Sequence, residues 1–314
     1  MGLKHFLAGV LLCASGGFAA AATDMASSLG FYLGPGCNGT ARVPLTEKWL
    51  GRRPARAIDF FSNESWAQLV SAANRGSRCW QATGLQMTFS VPMLPKDGSS
   101  TLAEGAQGAY NEHFVKVAQT LVQNGYADAV VRIGWEFNHS WFPWRAAQNP
   151  EAWVTYWRQI VTAMRSVPGA QFRFDWCPAW GKGELDPEDV YPGDEYVDII
   201  GLDIYNVSWN PRNAQDRWTL KRTYTNGLEW HRKFAASRGK PVSFPEWGTG
   251  KRPDGRGGGD DPYYIQKMTD WIQNSNLAYH NYWDYGARDF NGTISNGNMP
   301  NSEGEFLRIL GGAK

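Results

Sequence analysis

The sequence has few histidines and cysteines and no surplus of either charge. Its 314 residues include five histidines and four cysteines, and their spacing resembles no zinc site. Lys and Arg together number 31 against 30 Asp and Glu, which gives a net charge of +1. Nucleic-acid binding would require a basic surplus, so the composition gives no reason to expect nucleic acid as a partner. We predict neither a metal nor a cofactor.

A long apolar run is also missing. Residues 1–22 instead have the organisation of an export signal, with Lys4 near the start, an apolar stretch over 6–13 and alanines at 20–22 as a cleavage site. The apolar stretch is shorter than the roughly 20 residues of a transmembrane helix. We therefore predict a signal peptide over 1–22, one domain over 23–314, and a secreted or periplasmic protein without membrane contact after cleavage.

Three cysteines remain in the mature chain: Cys37, Cys79 and Cys177. Export permits a disulfide, and an odd count leaves one thiol over. Cys177 lies inside a strand-like apolar run, where a buried thiol acts as a small hydrophobic side chain. Cys37 and Cys79 both border loops, so the pattern favours them as the pair.

Short β-rich runs alternate with amphipathic, helix-like segments. Asn149-Pro150 and Asp261-Pro262 are typical helix starts, and Ser62 is a further candidate cap. The strand candidates lie at 31–34, 56–61, 85–94, 129–138, 172–178, 197–205, 241–246 and 279–285. Eight strands alternating with helices predict an α/β protein with a single (β/α)8 TIM barrel, ahead of an open doubly wound sheet.

Two of these strand candidates end in a glutamate followed or flanked by aromatic residues. Residues 128–144, DAVVRIGWEFNHSWFPW, carry Glu136, and residues 240–248, KPVSFPEWG, carry Glu246. Because side chains alternate along a strand, we expect Arg132 and Glu136 to share one face. A purely structural ion pair between these two residues is one reading of that arrangement.

Barrel enzymes place their chemistry at the carboxyl ends of the strands. Strand four is predicted to end near Glu136, and strand six ends with Asp203 and Tyr205. Strand seven ends at Glu246 and strand eight carries Trp283, so all of these residues are expected at one rim. Aromatic rings there can stack on sugars, while polar neighbours bind hydroxyl groups. Eight of the 16 tryptophans belong to these ends and loops: Trp135, Trp141, Trp144, Trp176, Trp180, Trp209, Trp247 and Trp283.

Two rim carboxylates among aromatic rings suit glycoside hydrolysis, which needs one protonated acid and one ionised carboxylate. Desolvation by Trp135 and Phe137 would raise the pKa of Glu136, which suits the acid. Arg132 would oppose that shift, so we expect it to contact the other carboxylate or the substrate. Glu246, with Tyr205 as a hydrogen-bond donor, would be the ionised nucleophile.

The pattern from Arg132 to Trp144, R-x-x-x-E-x-N-x-x-W-F-x-W, resembles the acid/base motif of family 26 glycoside hydrolases, the β-mannanase family of a large retaining-barrel clan. Residues 197–205 and 241–248 are similar to that family's sixth and nucleophile strands. The resemblance implies a (β/α)8 barrel and retention of anomeric configuration. It also implies Glu136 as acid/base, Glu246 as nucleophile with Tyr205 beside it, and Trp141 and Trp283 around the cleaved sugar.

One position departs from the family pattern, because Trp135 stands where the family usually has histidine. A β-mannan is the first expected substrate, with a β-1,3-xylan, a β-glucan or a bacterial exopolysaccharide as alternatives within the clan. An inverting hydrolase and a non-catalytic polysaccharide-binding barrel remain further alternatives.

We expect a monomer that cleaves a polysaccharide within its chain. The predicted substrate-binding residues are Arg132, Trp135, Asn138, Trp141, Trp144, Trp180, Asp203, Tyr205, Trp247 and Trp283.

Overall fold

The computed structural model describes residues 25–209 and 213–312. The predicted signal peptide at 1–22 therefore lies outside the described residues. The strands of this part are β1 Leu29–Tyr32, β2 Arg56–Phe60, β3 Gln86–Val91, β4 Val130–Ile133, β5 Arg173–Trp176, β6 Ile199–Gly201, β7 Ile204–Tyr205, β8 Val242–Gly248 and β9 Leu277–Trp283.

The helices start where the local sequence provides a cap. Asn149 and Asp261 each accept a hydrogen bond from the third residue of their helices, as predicted, but Ser65 rather than Ser62 caps α3. The helices are α1 Gly36–Thr40, α2 Val43–Leu50, α3 Trp66–Gln81, α4 Leu102–Ala106, α5 Asn111–Gln123, α6 Pro150–Arg165, α7 Ala214–Thr223, α8 Leu228–Ser237, α9 Pro262–Gln273 and α10 Pro300–Leu310.

The strands form one closed parallel barrel. Neighbouring strands pair in sequence order from β1 to β6, β6 pairs with β8, and β9 pairs with both β8 and β1. The predicted strand at 197–205 is divided into β6 and β7. Between these two strands, Asp203 forms a bridge with Ala179, which follows β5. β7 then returns to β8. The prediction of a single (β/α)8 barrel is confirmed.

The fourth predicted strand is too long. β4 ends at Ile133, and both Gly134 and Glu136 have positive φ values, of 53° and 54°. A Cβ on Gly134 would lie 2.4 Å from the sulfur of Met93, so the chain turns there on a residue without a side chain. The expectation that Arg132 and Glu136 share a strand face is therefore wrong.

The apolar faces of the helices pack on the outside of the barrel and bury several whole indole rings. Trp80, Trp153, Trp157 and Trp176 are among the fully buried side chains. Cys37 and Cys79 form the predicted disulfide, and Cys177 remains a buried thiol. Across residues 25–209 and 213–312, no helix has the length and apolar character needed to cross a bilayer.

Candidate active site

Glu246 sits at the carboxyl end of β8 and accepts two strong hydrogen bonds. Arg132 Nη2 donates to its Oε1 at 2.5 Å, and the Tyr205 hydroxyl donates to its Oε2 at 2.6 Å. Burial and the nearby charge of Glu246 raise the pKa of Tyr205, so its hydroxyl keeps the proton it donates. Both donors stabilise negative charge on Glu246, and both expected contacts are confirmed.

Asp203 holds Arg132 in this position. Its two carboxylate oxygens each lie 2.7 Å from Arg132 Nη1, while Arg132 Nε donates to Ser90 Oγ at 3.0 Å. The side chains of Asp203 and Arg132 are both inaccessible to solvent. The structure therefore closes the side chains of these two predicted substrate-binding residues off from solvent, where they position Glu246.

Glu136 lies in the turn after β4, in a left-handed backbone conformation. Its amide donates to the carbonyl of Cys177 at 2.8 Å, and Trp141 Nε1 donates to its Oε2 at 2.8 Å. Burial, followed by the charge of Glu246, raises the pKa of Glu136 to about 8, against the opposing hydrogen bond from Trp141. Glu136 is therefore protonated at neutral pH, and the electrostatic effect of Glu246 shows that the two carboxylates are near one another.

An open cleft of about 440 Å³ extends from Glu136 along one side of the rim. Trp141 and Trp209 line it with 55% and 59% of their surface exposed, which makes them available for stacking on sugars. Phe290, Lys221 and Arg252 also line it, and sequence reasoning missed all three. Phe290 lies in a polar loop after β9 and Lys221 in a polar helix, so neither has a local signal of its position.

Trp283 and Trp135 flank the Arg132–Glu246 pair. The Trp283 ring stacks on Tyr32 with centroids 4.2 Å apart and meets the Tyr205 ring edge-on at 6.0 Å. Trp135, only 7% exposed, lies 5.4 Å from the Arg132 guanidinium. Trp283 thus borders the proposed nucleophile, whereas Trp135 mainly shields the arginine from water.

Three predicted substrate-binding residues face away from the cleft and are fully buried: Asn138, Trp144 and Trp247. Asn138 exchanges two 2.9 Å hydrogen bonds with the backbone of Ala179. Trp144 Nε1 donates to the carbonyl of Trp135, and Trp247 Nε1 donates to His280. Their predicted contact with sugar is wrong in this structure, because each side chain is used to join loops or fill the helix–barrel interface.

Trp180 does line the cleft, but one of its ring faces is already occupied. Lys221 Nζ lies 3.3 Å from the centre of that ring, and Trp180 Nε1 donates to the Lys221 carbonyl at 3.1 Å. The indole is thereby fixed to α7.

A closed parallel barrel with a protonated glutamate and a charge-stabilised glutamate at its carboxyl rim has the architecture of a barrel glycoside hydrolase. Residues 90–221 match the model of glycosyl hydrolase family 26, a segment that contains Glu136 and ends before Glu246. The predicted resemblance is confirmed: the chain is similar to the glycoside hydrolases of family 26.

One relative shows the same similarity at the level of sequence. Over 182 residues the chain is 26% identical to a mannan endo-1,4-beta-mannosidase of Bifidobacterium adolescentis, an alignment that covers 50% of this chain and 17% of that protein. The chain thus spans about a sixth of that relative's length.

Two solved structures share the fold. The Bacillus subtilis mannanase man26 superposes with a TM-score of 0.63 at 15% identity, covering 90% of this chain and 85% of that one. A Cellulomonas fimi endo-beta-1,4-mannanase double mutant superposes with a TM-score of 0.64 at 21% identity, covering 90% and 70%. At these identities the superpositions establish the fold.

Proposed function

We propose that the protein is a secreted, retaining, endo-acting hydrolase of a β-linked polysaccharide, with a β-mannan as the first substrate to test. The observation that carries this proposal is the contrast between the two rim glutamates. Burial raises the pKa of Glu136 to about 8, while Glu246 receives hydrogen bonds from Arg132 and Tyr205. One carboxyl is thus suited to donate a proton and the other to act as an anion.

In the first step, Glu246 attacks the anomeric carbon while Glu136 transfers its proton to the departing glycosidic oxygen. The bond between the anomeric carbon and that oxygen breaks, and a glycosyl ester forms on Glu246. In the second step, Glu136 takes a proton from water, whose oxygen displaces Glu246 with a second inversion at the same carbon. Two inversions give net retention.

The charge of Glu246 couples these two steps. While Glu246 is an anion, it contributes to the raised pKa of Glu136. Formation of the glycosyl ester removes that negative charge, so the pKa of Glu136 falls in the intermediate. The same residue can then act as a base in the second step.

Several observations support the substrate and the mode of attack. The similar enzymes of Bifidobacterium adolescentis and Cellulomonas fimi are endo-acting on mannan, and the exposed Trp141 and Trp209 offer stacking surfaces along an open cleft. Export is supported by the sequence of residues 1–22 alone. Trp135 departs from the family pattern, so other β-glycans belong in the same screen.

The test is a screen of β-mannans, β-xylans, β-glucans and bacterial exopolysaccharides, with product lengths measured by chromatography. Proton NMR of the first products on a cleaved polymer should show the β-anomer before mutarotation. A 2-deoxy-2-fluoro glycoside should label the peptide that contains Glu246, and Glu246→Ala should abolish turnover while oligosaccharides still bind. First products with the α-configuration would refute retention.

A further inference from the structure

Lys221 is a buried basic residue of the substrate cleft that takes no part in the proposed hydrolysis. It belongs to α7, its residue surface is 1% exposed, and it lines the same cleft as Glu136. Its ammonium group lies over the Trp180 ring, and among the described residues no carboxylate forms an ion pair with it. Lysine is almost never buried without a partner, so this position requires an explanation.

The surrounding structure fixes the lysine and its tryptophan as one unit. Trp180 donates to the Lys221 carbonyl, and Asn226 Nδ2 donates to the carbonyl of Gly181 at 3.1 Å. Contact with the indole ring offsets part of the desolvation of the ammonium group. Burial nevertheless holds the pKa of Lys221 well below its ordinary range, which shows that the protein alone does not compensate the charge.

The other charges of the cleft leave positive charge on this side. Arg252 also lines the cleft and shares the carboxylate of Asp254 with Arg256, at 3.1 Å and 3.7 Å. Arg256 in turn lies 5.8 Å from the centre of the Trp209 ring. One carboxylate thus serves two guanidinium groups.

Three carboxyl groups line the same cleft, namely those of Glu136, Asp203 and Asp289. Glu136 is protonated at neutral pH, and Arg132 is shared between Asp203 and Glu246. Asp289 is exposed to solvent and is the remaining anion of the lining.

We infer that Lys221 binds a carboxylate carried by the polysaccharide, so that the substrate is an acidic polymer. The inference rests on the proposed function, whose substrate class it narrows. A uronic acid or a pyruvate ketal would bring a carboxylate into contact with the buried ammonium and complete a charge-assisted hydrogen bond. A neutral sugar would cover Lys221 and leave its charge unpaired.

The test compares acidic oligosaccharides with the same molecules after chemical reduction of their carboxyl groups to alcohols. Glucuronic-acid-containing and pyruvylated β-manno-oligosaccharides serve as the two probes, and mild acid hydrolysis removes only the pyruvate. Binding is measured by titration calorimetry with the Glu246→Ala protein, in which the bound sugar is not cleaved. We expect the intact form of one probe to bind about 10- to 100-fold more tightly than its reduced form.

Lys221→Met should abolish this preference, and Lys233→Met, which removes an exposed charge on α8, should retain it. Thermal unfolding verifies the fold of each variant, and Lys221→Gln replaces the methionine variant if that one does not fold. Equal binding of intact and reduced probes by the protein with Lys221 would overturn the inference. An equal loss of affinity for the intact and the reduced probe in the Lys221 variant would also overturn it. Because binding is scored without turnover, failure of the hydrolysis screen would refute the proposed function alone.

Discussion

Arg132 on β4 donates to Glu246 on β8 across the barrel, at 2.5 Å and over 114 positions of the sequence. The same guanidinium binds both oxygens of Asp203. The barrel therefore contains one cation between two carboxylates, of which the Asp203 side chain is closed to solvent and the Glu246 side chain is 7% exposed. This arrangement fixes the position and the charge of the proposed nucleophile together.

Arg132→Met should destabilise the protein strongly. The substitution leaves Asp203 and Glu246 without their shared cation, and breaking a buried pair in this way costs about 3–5 kcal/mol. Urea unfolding followed by circular dichroism measures the loss. Arg75→Met, at an exposed position on α3, is the matched control and should change the free energy of unfolding by less than about 0.5 kcal/mol. A loss below about 1 kcal/mol for Arg132→Met would show that the pair contributes little.

Glu136→Ala should impair hydrolysis of the polymer far more than that of aryl glycosides with good leaving groups. Such leaving groups need little protonation, so removal of the acid affects them less, whereas the polymer loses the about 10²- to 10⁴-fold contribution of general acid catalysis. The measurement is kcat/KM on both substrates. Glu151→Ala, an exposed substitution at the start of α6, should leave both unchanged. Equal losses on the two substrates would argue against the acid role.

The pH profile should report the protonation of Glu136. Since Glu136 must be protonated and its pKa is about 8, kcat/KM should fall as the pH rises through about 8. Trp141→Phe removes a hydrogen bond that favours the ionised form, so the alkaline limb should move to higher pH. Trp209→Phe, which changes an equally exposed ring of the cleft, should leave the limb in place. A shift to lower pH in Trp141→Phe would contradict this account.

Two buried histidines should make the protein sensitive to acid. Burial lowers the pKa of His231 and of His280 to about 4, below the ordinary value of 6.5. The stability linked to their neutral forms is present above about pH 6.5 and is lost as the pH falls towards 4. The free energy of unfolding should therefore decrease by about 1.4 kcal/mol per pH unit for each histidine over this window.

Urea unfolding at pH 7, 5.5 and 4.5 tests this dependence. His231→Gln keeps a donor for the carbonyl of Ile200 and removes one titrating group, so its slope with pH should be smaller. His113→Gln, at a partly buried position on α5, is the comparison variant. An unchanged slope in His231→Gln would exclude that residue as a source of the acid sensitivity.

Local sequence rules were enough to recognise the elements of the barrel and the two acids. Helix caps at Asn149 and Asp261, the alternation of strands with helices, and glutamates at the ends of apolar runs all depend on residues close together in the chain. These rules failed where the backbone leaves regular structure. Glu136 has a left-handed φ, and two residues earlier a side chain at Gly134 would clash with Met93.

Tertiary structure alone decided which way the side chains face and what they contact. Trp141 and Trp144 lie three positions apart in one turn, yet one is more than half exposed in the cleft and the other is completely buried. The partners of Arg132 follow from the closure of the barrel, and the contact between Lys221 and Trp180 follows from the packing of α7 beside it. The sequence determines which strands and helices form, because those choices are local. The barrel determines burial and charge pairing, because they depend on residues brought together from distant parts of the chain.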